Sequence, residues 1–439
     1  MKTKHSFNHW HWRIIISSMI GYAIFYFVRK NFSFAMPALG DAYGISNTSF
    51  GIILTLVGLI YGVSKFVNGI FADRTNARWH LAIALAVCAG LNFMFGWSDS
   101  ISTMITGSTQ GAEFVDTMVI VMAVLLVLNN IFQGAGFPPC NHLLAHWVPS
   151  SELATKSAIW NTSHSIGAGF VSILCGYLIS STGDWHYCFT VPAWIAVFGV
   201  VFIIITLRDT PSSVGLSELE GTKTSLDEND SPEAFRAFIM KMVFKNPIIW
   251  ILSFTALFVY IVRFAILDWG PTFLQKRENP LSPELTGWVL AIFEISGCLG
   301  MLCAGYISDK FFGGKSQRVC VVEMFLVAIC LVVLQFMPDS AHPIFVLILL
   351  ALAGFFLYGP QALLAVTGIK QATKKAASTS VGVIGFVSYL SVIFTGWGLG
   401  WFSDKFGWDY LFILMAGVAI IGGIVIATLW NIKDDAYEH

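Results

Sequence analysis

The sequence predicts an all-α protein of twelve membrane-spanning helices in two pseudo-symmetric six-helix halves. Composition comes first: of 439 residues, 56% are hydrophobic and 12% charged, where a soluble domain carries roughly 25% charge. Mean hydropathy is +0.71. Second, apolar runs long enough to cross a bilayer recur twelve times. Third, the two halves echo each other: YFVRKNFSFAMPAL near the start parallels YIVRFAILDWGPTFL, and GIFADRTNAR parallels GYISDKFFGGKSQR. The spacings agree, 234 residues from Arg29 to Arg263 and 236 from Asp73 to Asp309.

The opening residues MKTKHSFNHWHWR lead into the first run with no small-residue cleavage site, so this run reads as a retained helix and not as a signal peptide. The spans are expected at roughly 14–38, 50–72, 79–98, 117–138, 157–179 and 188–207 in the first half. In the second half they are expected at 247–275, 285–308, 319–337, 344–366, 377–401 and 410–431. Residues 208–246, polar and rich in Pro, Gly and Ser, read as a solvated linker, leaving halves 1–207 and 247–439. Placing both termini and the linker on one side collects eighteen of the 25 Lys and Arg residues there, against Lys276, Arg277 and Lys405 opposite. The positive-inside bias makes that side cytoplasmic.

A net charge of −1 supplies no field for nucleic acid. The eight cysteines form no CxxC pair and mostly lie in apolar runs, so neither a disulfide framework nor a metal is expected. No nucleophile, metal or nucleotide motif marks an enzyme, and no cofactor is expected; the chain reads as a monomer in the lipid bilayer.

Two arginines stand out. Arg29 and Arg263 each lie about midway along an apolar run, and a guanidinium there is costly unless it lines a cavity with a partner. On helical spacing Tyr22, Tyr26 and Arg29 share a face, and Tyr260 precedes Arg263 by three residues. Guanidinium forks with phenol hydroxyls suit a phosphate dianion. The competing reading is pairing with a membrane carboxylate, Asp268 or Glu294. Lys30 is a third cation for the guest or a snorkelling lysine.

Tyr61 and Lys65 share a face of the second span, and Asn161 and His164 one of the fifth, where Gly167 and Gly169 permit close packing. His164 can follow phosphate protonation or serve as an interhelical bonder. Tyr358 and Tyr389 are candidate wall residues or packing residues. At the turn after the second span, Gly69 is followed by Asp73, Arg74 and Arg78, and the second copy holds Gly305, Asp309 and Lys310. These charges can break and re-form bonds between conformations, as a gate would, or simply sit in a solvated loop.

The Gly-Asp-Arg loop resembles the signature of the major facilitator superfamily. Together YFVRKNFSFAMP, YGVSKFVNGIFADRTNAR, QGAGFPPC, IWNTSHSIGAG, LRDTPSSVGL, YIVRFAILDWGPTFL, YGPQALL and FGWD resemble its organophosphate:phosphate antiporters, the glycerol-3-phosphate and hexose-6-phosphate transporters. The resemblance implies that Arg29 and Arg263 clasp phosphate, with Lys65, His164 and Tyr22, Tyr26, Tyr61, Tyr260, Tyr358 and Tyr389 around the site. It also implies exchange of an organic phosphate for inorganic phosphate across the inner membrane. ILDWGPTFL and RDTPSSVGL look closest to the glycerol-3-phosphate branch, whereas YGVSKFVNGIFADRTNAR and NPIIWILSF resemble the hexose-phosphate branch at least as well. Ser165 and Ala168 depart from the Asn and Gly usual beside the His. A hexose-phosphate sensor reporting to a kinase partner keeps the same arginines and stays open, as does an anion symporter using Asp268 and Glu294.

Overall fold

The computed structural model describes residues 2–72, 75–149, 152–217, 232–277, 279–338 and 342–432, which form helices and the turns between them, with no strand among them. Eleven helical segments among the described residues are long and apolar enough to cross a membrane, from Phe7–Tyr43 to Thr379–Phe406, and the shorter apolar helix Leu411–Ala427 follows. The chain separates into two compact units, Met1–Thr224 with Ser282–Ala291, and Ser225–Leu281 with Ile292–His439. The grouping of Ser282–Ala291 with the first unit is not visible in the sequence.

In the first unit the helices are α1 (Lys2–Phe27), α2 (Phe32–Tyr43), α3 (Asn47–Ala72), α4 (Ala77–Phe95), α5 (Ser98–Thr106), α6 (Ala112–Gln133), α7 (Phe137–Trp147), α8 (Leu153–Asn161), α9 (Ser163–Thr182) and α10 (Tyr187–Thr206). Local chemistry sets several boundaries. The Asn76 side chain caps α4 by accepting from the Trp79 N–H at 3.3 Å. Pro138 and Pro139 fall in the first turn of α7, where a missing N–H costs nothing, so the QGAG stretch before them separates α6 from α7. Gly167 lets α9 lie against α1, because a Cβ there would come within 2.9 Å of the Ala23 Cα.

The first span departs from expectation. The run read as one helix over 14–38 is two helices, α1 ending at Phe27 and α2 starting at Phe32, and Arg29 and Lys30 occupy the break. A helix can open inside a bilayer only where its freed backbone groups find other partners. Here the Val28 carbonyl accepts from the side-chain amides of Asn129 at 2.9 Å and Asn92 at 3.1 Å.

The second unit contains α11 (Pro232–Ile239), α12 (Pro247–Lys276), α13 (Pro283–Phe311, shared with the first unit through its opening residues), α14 (Ser316–Gln335), α15 (Pro343–Tyr389), α16 (Ser391–Ile393), α17 (Leu399–Phe406) and α18 (Leu411–Ala427). Asn246 caps α12 by accepting from the Ile248 N–H at 2.9 Å, with Pro247 at the first helical position. The segment expected to be a solvated linker is partly structured: Pro211–Val214 is a 3₁₀ turn, α11 follows, and Met242, Val243 and Asn246 are buried.

The runs at 344–366 and 377–401 are joined by helix and not by an irregular loop, since α15 is helical throughout. It nevertheless doubles back. A Cβ on Gly368 would lie 2.5 Å from the Ile384 Cδ1, whereas residues sixteen apart on a straight helix are about 24 Å apart. Further on, the π-helical turn Phe394–Gly398 presents the Thr395 carbonyl to the indole N–H of Trp269 at 2.6 Å.

Candidate functional site

In the first unit the residues singled out from the sequence form one continuous aromatic and cationic cluster. The Arg29 guanidinium carbon lies 3.5 Å from the ring centroid of Tyr61 and 5.3 Å from that of Tyr26. Tyr26 packs edge-on to Tyr22 at 5.5 Å and tilts against His164 at 5.9 Å. Tyr22 stacks on Trp160 at 4.9 Å and meets Phe137 at 6.0 Å. Lys65, one helical turn after Tyr61 on α3, places its ammonium 4.1 Å from the Phe137 ring. These faces are electron-rich, so each cation is attracted by a ring quadrupole.

The expected face shared by Tyr22, Tyr26 and Arg29 needs correction. Regular i, i+7 spacing does not operate, because α1 stops at Phe27. Arg29 still reaches Tyr26, because the N–H groups of Arg29 and Lys30 both turn back to the Tyr26 carbonyl, at 3.2 and 3.1 Å.

Beside Tyr26, Asn161 contributes its backbone through His164. The His164 Nδ1 hydrogen-bonds the Asn161 carbonyl. A carbonyl only accepts, so Nδ1 donates in this bond. A break at Thr162 between α8 and α9 exposes that carbonyl to the imidazole.

The second unit solves the same problem differently. Arg263 is buried on α12; its Nε donates to the Tyr358 hydroxyl at 2.9 Å and its Nη2 to Glu294 Oε1 at 3.4 Å. The carboxylate-pairing reading therefore describes Arg263 in this structure. Glu294 is 1% exposed and its Oε2 has no hydrogen-bond partner. Gly297 makes the arrangement possible, since a Cβ there would lie 2.6 Å from the Tyr358 ring. Tyr260 and Tyr389 pack at 5.9 Å, and Phe264 closes that group at 6.2 Å from Tyr389. Asp268 lies half-buried on the same helix as Arg263.

The gating candidates are less concentrated. Asp73 and Arg74 lie outside the described residues. Arg78 stacks on Trp79 at 4.8 Å, Asp309 and Lys310 are exposed, and the Lys310 ammonium donates to the Tyr306 hydroxyl at 2.7 Å.

Sequence reasoning passed over the uncharged amides beside the Arg29 break, Asn31, Asn92, Asn129 and Gln133, all buried. Their signal is physical: an amide in an apolar run must find partners. Trp160, Phe137 and Phe264 were likewise legible only as generic aromatics.

The sequence matches the Major Facilitator Superfamily over residues 18–396, with a second match over 281–438. It is 34% identical to a glycerol-3-phosphate transporter of Bacillus subtilis (strain 168), over 97% of this chain and 94% of that protein. It is 33% identical to a probable hexose phosphate transport protein of Chlamydia pneumoniae, over 98% and 93%. It is also 30% identical to the membrane sensor protein UhpC of Escherichia coli (strain K12), over 97% and 93%. Among solved structures, a D-xylose-proton symporter aligns with a TM-score of 0.72 at 15% identity, covering 94% of this chain and 97% of that one, a likeness of fold. With its two sets of apolar helices and a membrane arginine among tyrosines in each unit, the chain belongs to the Major Facilitator Superfamily, in its organophosphate:phosphate antiporter family.

Proposed function

We propose that this protein is a secondary transporter that exchanges an organic phosphate ester, glycerol-3-phosphate, for inorganic phosphate by alternating access. The observation that carries the reading is the pair of membrane arginines held among tyrosine rings and hydroxyls, Arg29 with Tyr26 and Tyr61, and Arg263 with Tyr358. A permanent charge inside a membrane span requires a function or a partner. Guanidinium and phenol groups together recognise phosphoryl oxygens without a metal. The similarity to the Bacillus subtilis glycerol-3-phosphate transporter supports the choice of ester.

Arg29 and Arg263 are the residues we assign to phosphoryl oxygens, with Lys65, His164, Asn161 and the tyrosines at 22, 26, 61, 260, 358 and 389 around them. In the unloaded transporter, ring faces, hydroxyls and the Glu294 carboxylate lie against the guanidinium charges. A dianion supplies stronger compensation, so the conformational change runs mainly when loaded, and transport is exchange. Asp73, Arg74, Arg78, Asp309 and Lys310 are assigned to gating, and the positive-inside bias places both termini in the cytoplasm of an inner-membrane protein.

Vesicles preloaded with labelled phosphate test this. External glycerol-3-phosphate should drive rapid efflux and glucose-6-phosphate should compete poorly. Efflux at the exchange rate into medium without any phosphate compound would refute exchange, and preference for glucose-6-phosphate would reassign the ester to the hexose phosphate class. The 30% identity to the sensor protein favours a second reading, a receptor that reports a sugar phosphate to a kinase partner. Ligand binding without any transport in the same vesicles would select it.

A further inference from the structure

Behind Arg29 lies a cluster of amides that the phosphate contacts do not use. Asn31, Asn92, Asn129 and Gln133 are each 1–3% exposed. The Val28 carbonyl, immediately before Arg29, accepts from Asn129 Nδ2 at 2.9 Å, Asn92 Nδ2 at 3.1 Å and Gln133 Nε2 at 3.4 Å. Gln133 Nε2 also donates to the Phe25 carbonyl at 3.1 Å. Asn92 is itself held, because its Oδ1 accepts from Asn31 Nδ2 at 2.8 Å, and that same Asn31 nitrogen reaches the Cys188 carbonyl at 2.9 Å. Residues of α4 and α6 thus meet at one backbone carbonyl, and Asn31 ties the break and α10 to Asn92 behind it.

We propose that Asn92 and Asn129, supported by Asn31 and Gln133, are positioning residues that fix the Arg29 guanidinium by capturing the Val28 carbonyl; this rests on reading Arg29 as a phosphate contact. In a bilayer an unsatisfied carbonyl drives the chain back into helix, so three side-chain donors on one oxygen stabilise the open form against the continuous one. The Val28–Arg29 peptide is pinned at both ends, since the Arg29 N–H is taken by the Tyr26 carbonyl at 3.2 Å. With that plane fixed, the direction in which the Arg29 side chain leaves the backbone is fixed too, toward the Tyr61 face. Re-forming the helix through residues 28–31 would rotate and lift Arg29 by the ordinary helical step, away from the ring under it.

The test uses the full-length protein and inorganic phosphate as probe. Asn129→Leu, close in size but without donors, should weaken phosphate binding about tenfold. Its effect should be strongly non-multiplicative with Tyr61→Leu, which removes the ring under Arg29, and multiplicative with Tyr358→Phe, which acts on Arg263. A purely structural role would multiply with both. In parallel, the rate at which phenylglyoxal modifies Arg29, read by peptide mass spectrometry, should change severalfold in Asn129→Leu while the rate at Arg263 stays at the wild-type value. Should Asn129→Leu not assemble, Gln133→Met removes the longest of the three bonds and should give about a threefold loss. Unchanged phosphate binding and unchanged Arg29 reactivity in whichever variant assembles would overturn the positioning role. Wild-type protein that binds no phosphate, or Arg29→Ala that binds it normally, would instead overturn the phosphate reading, and the reactivity arm would still decide the positioning.

Discussion

Arg29 and Arg263 occupy corresponding places in the two sequence halves, yet the protein keeps them charged by different means. Arg29 stands in a helix break whose Val28 carbonyl is captured by side-chain amides, and its guanidinium lies over the faces of Tyr61 and Tyr26. Arg263 stands in the uninterrupted helix α12 and is bonded through Nε to the Tyr358 hydroxyl and through Nη2 to the Glu294 carboxylate. The first arrangement relies on ring quadrupoles and fixed backbone; the second relies on a counter-ion. At Arg263 an incoming anion competes with an acid already in place.

The sharpest way to break this comparison is to remove the planar fork. Arg29→Lys and Arg263→Lys should each reduce phosphate exchange in vesicles by about 100-fold, about 2.7 kcal/mol, because a point charge does not reproduce two-point contact with phosphoryl oxygens. Exchange near the wild-type rate in either variant would show that its arginine is structural. Rings and hydroxyls should then separate the two sites. At Tyr61 the ring carries the larger share beside the hydroxyl's bond to Arg29, so Tyr61→Leu should weaken phosphate binding about tenfold and Tyr61→Phe by less than about threefold, consistent with a cation–π contribution of about 1–2 kcal/mol. At Tyr358 the hydroxyl bonded to Arg263 matters, so Tyr358→Phe alone should weaken binding by about threefold to tenfold. Equal sensitivity to loss of the hydroxyl at both positions would erase the distinction.

Glu294 sharpens the comparison from the acid side. Glu294→Gln removes the carboxylate that competes for Arg263, so phosphate should bind about threefold tighter while turnover slows, because release no longer gains the returning acid. Titration of binding alongside exchange rates reads both halves of that expectation. Weaker binding with unchanged turnover would mean that Glu294 orients Arg263 and does not compete with the ligand.

The spans were legible in the sequence because hydrocarbon imposes one simple demand, length without charge, and runs such as 188–207 and 247–275 meet it unambiguously as Tyr187–Thr206 and Pro247–Lys276. What hydropathy does not record is where a backbone opens inside an apolar run. YFVRKNFSF reads as continuous helix, and only long-range donors, Asn92 and Asn129, make the break at Arg29 affordable. Helicity through the turn of α15 is hidden for the opposite reason: a polar stretch with Lys370 near it suggests a loop, although no Gly or Pro interrupts the backbone between Gly368 and Ser380. The site residues were legible as chemistry that is expensive in lipid. Their partners were not, because whether Arg263 reaches Glu294 depends on how α12 is rotated against α13.

An ion pair outside the spans gives the smallest expected effect and sets the scale for the buried ones. Between α9 and α10, Asp184 accepts from the His186 backbone N–H at 2.9 Å and also bonds the His186 imidazole, whose other nitrogen lies 3.2 Å from Asp99. Burial pushes the Asp184 carboxyl up, but the bonds and charge from His186 outweigh it and leave the group below its ordinary value. A carboxyl depressed on folding stabilises the native state above its unfolded value, near 3.9, and that contribution fades as the pH falls through the still lower folded value. Because Asp184 is 42% exposed on its side chain, solvent screens the pair, and exposed pairs contribute about 0–1 kcal/mol. Asp184→Asn should therefore lower the melting temperature by no more than about two degrees at pH 7, with the gap to wild type closing below about pH 4. A gap that stays constant down to pH 3 would mean that the side-chain geometry, and not the charge, stabilises this turn.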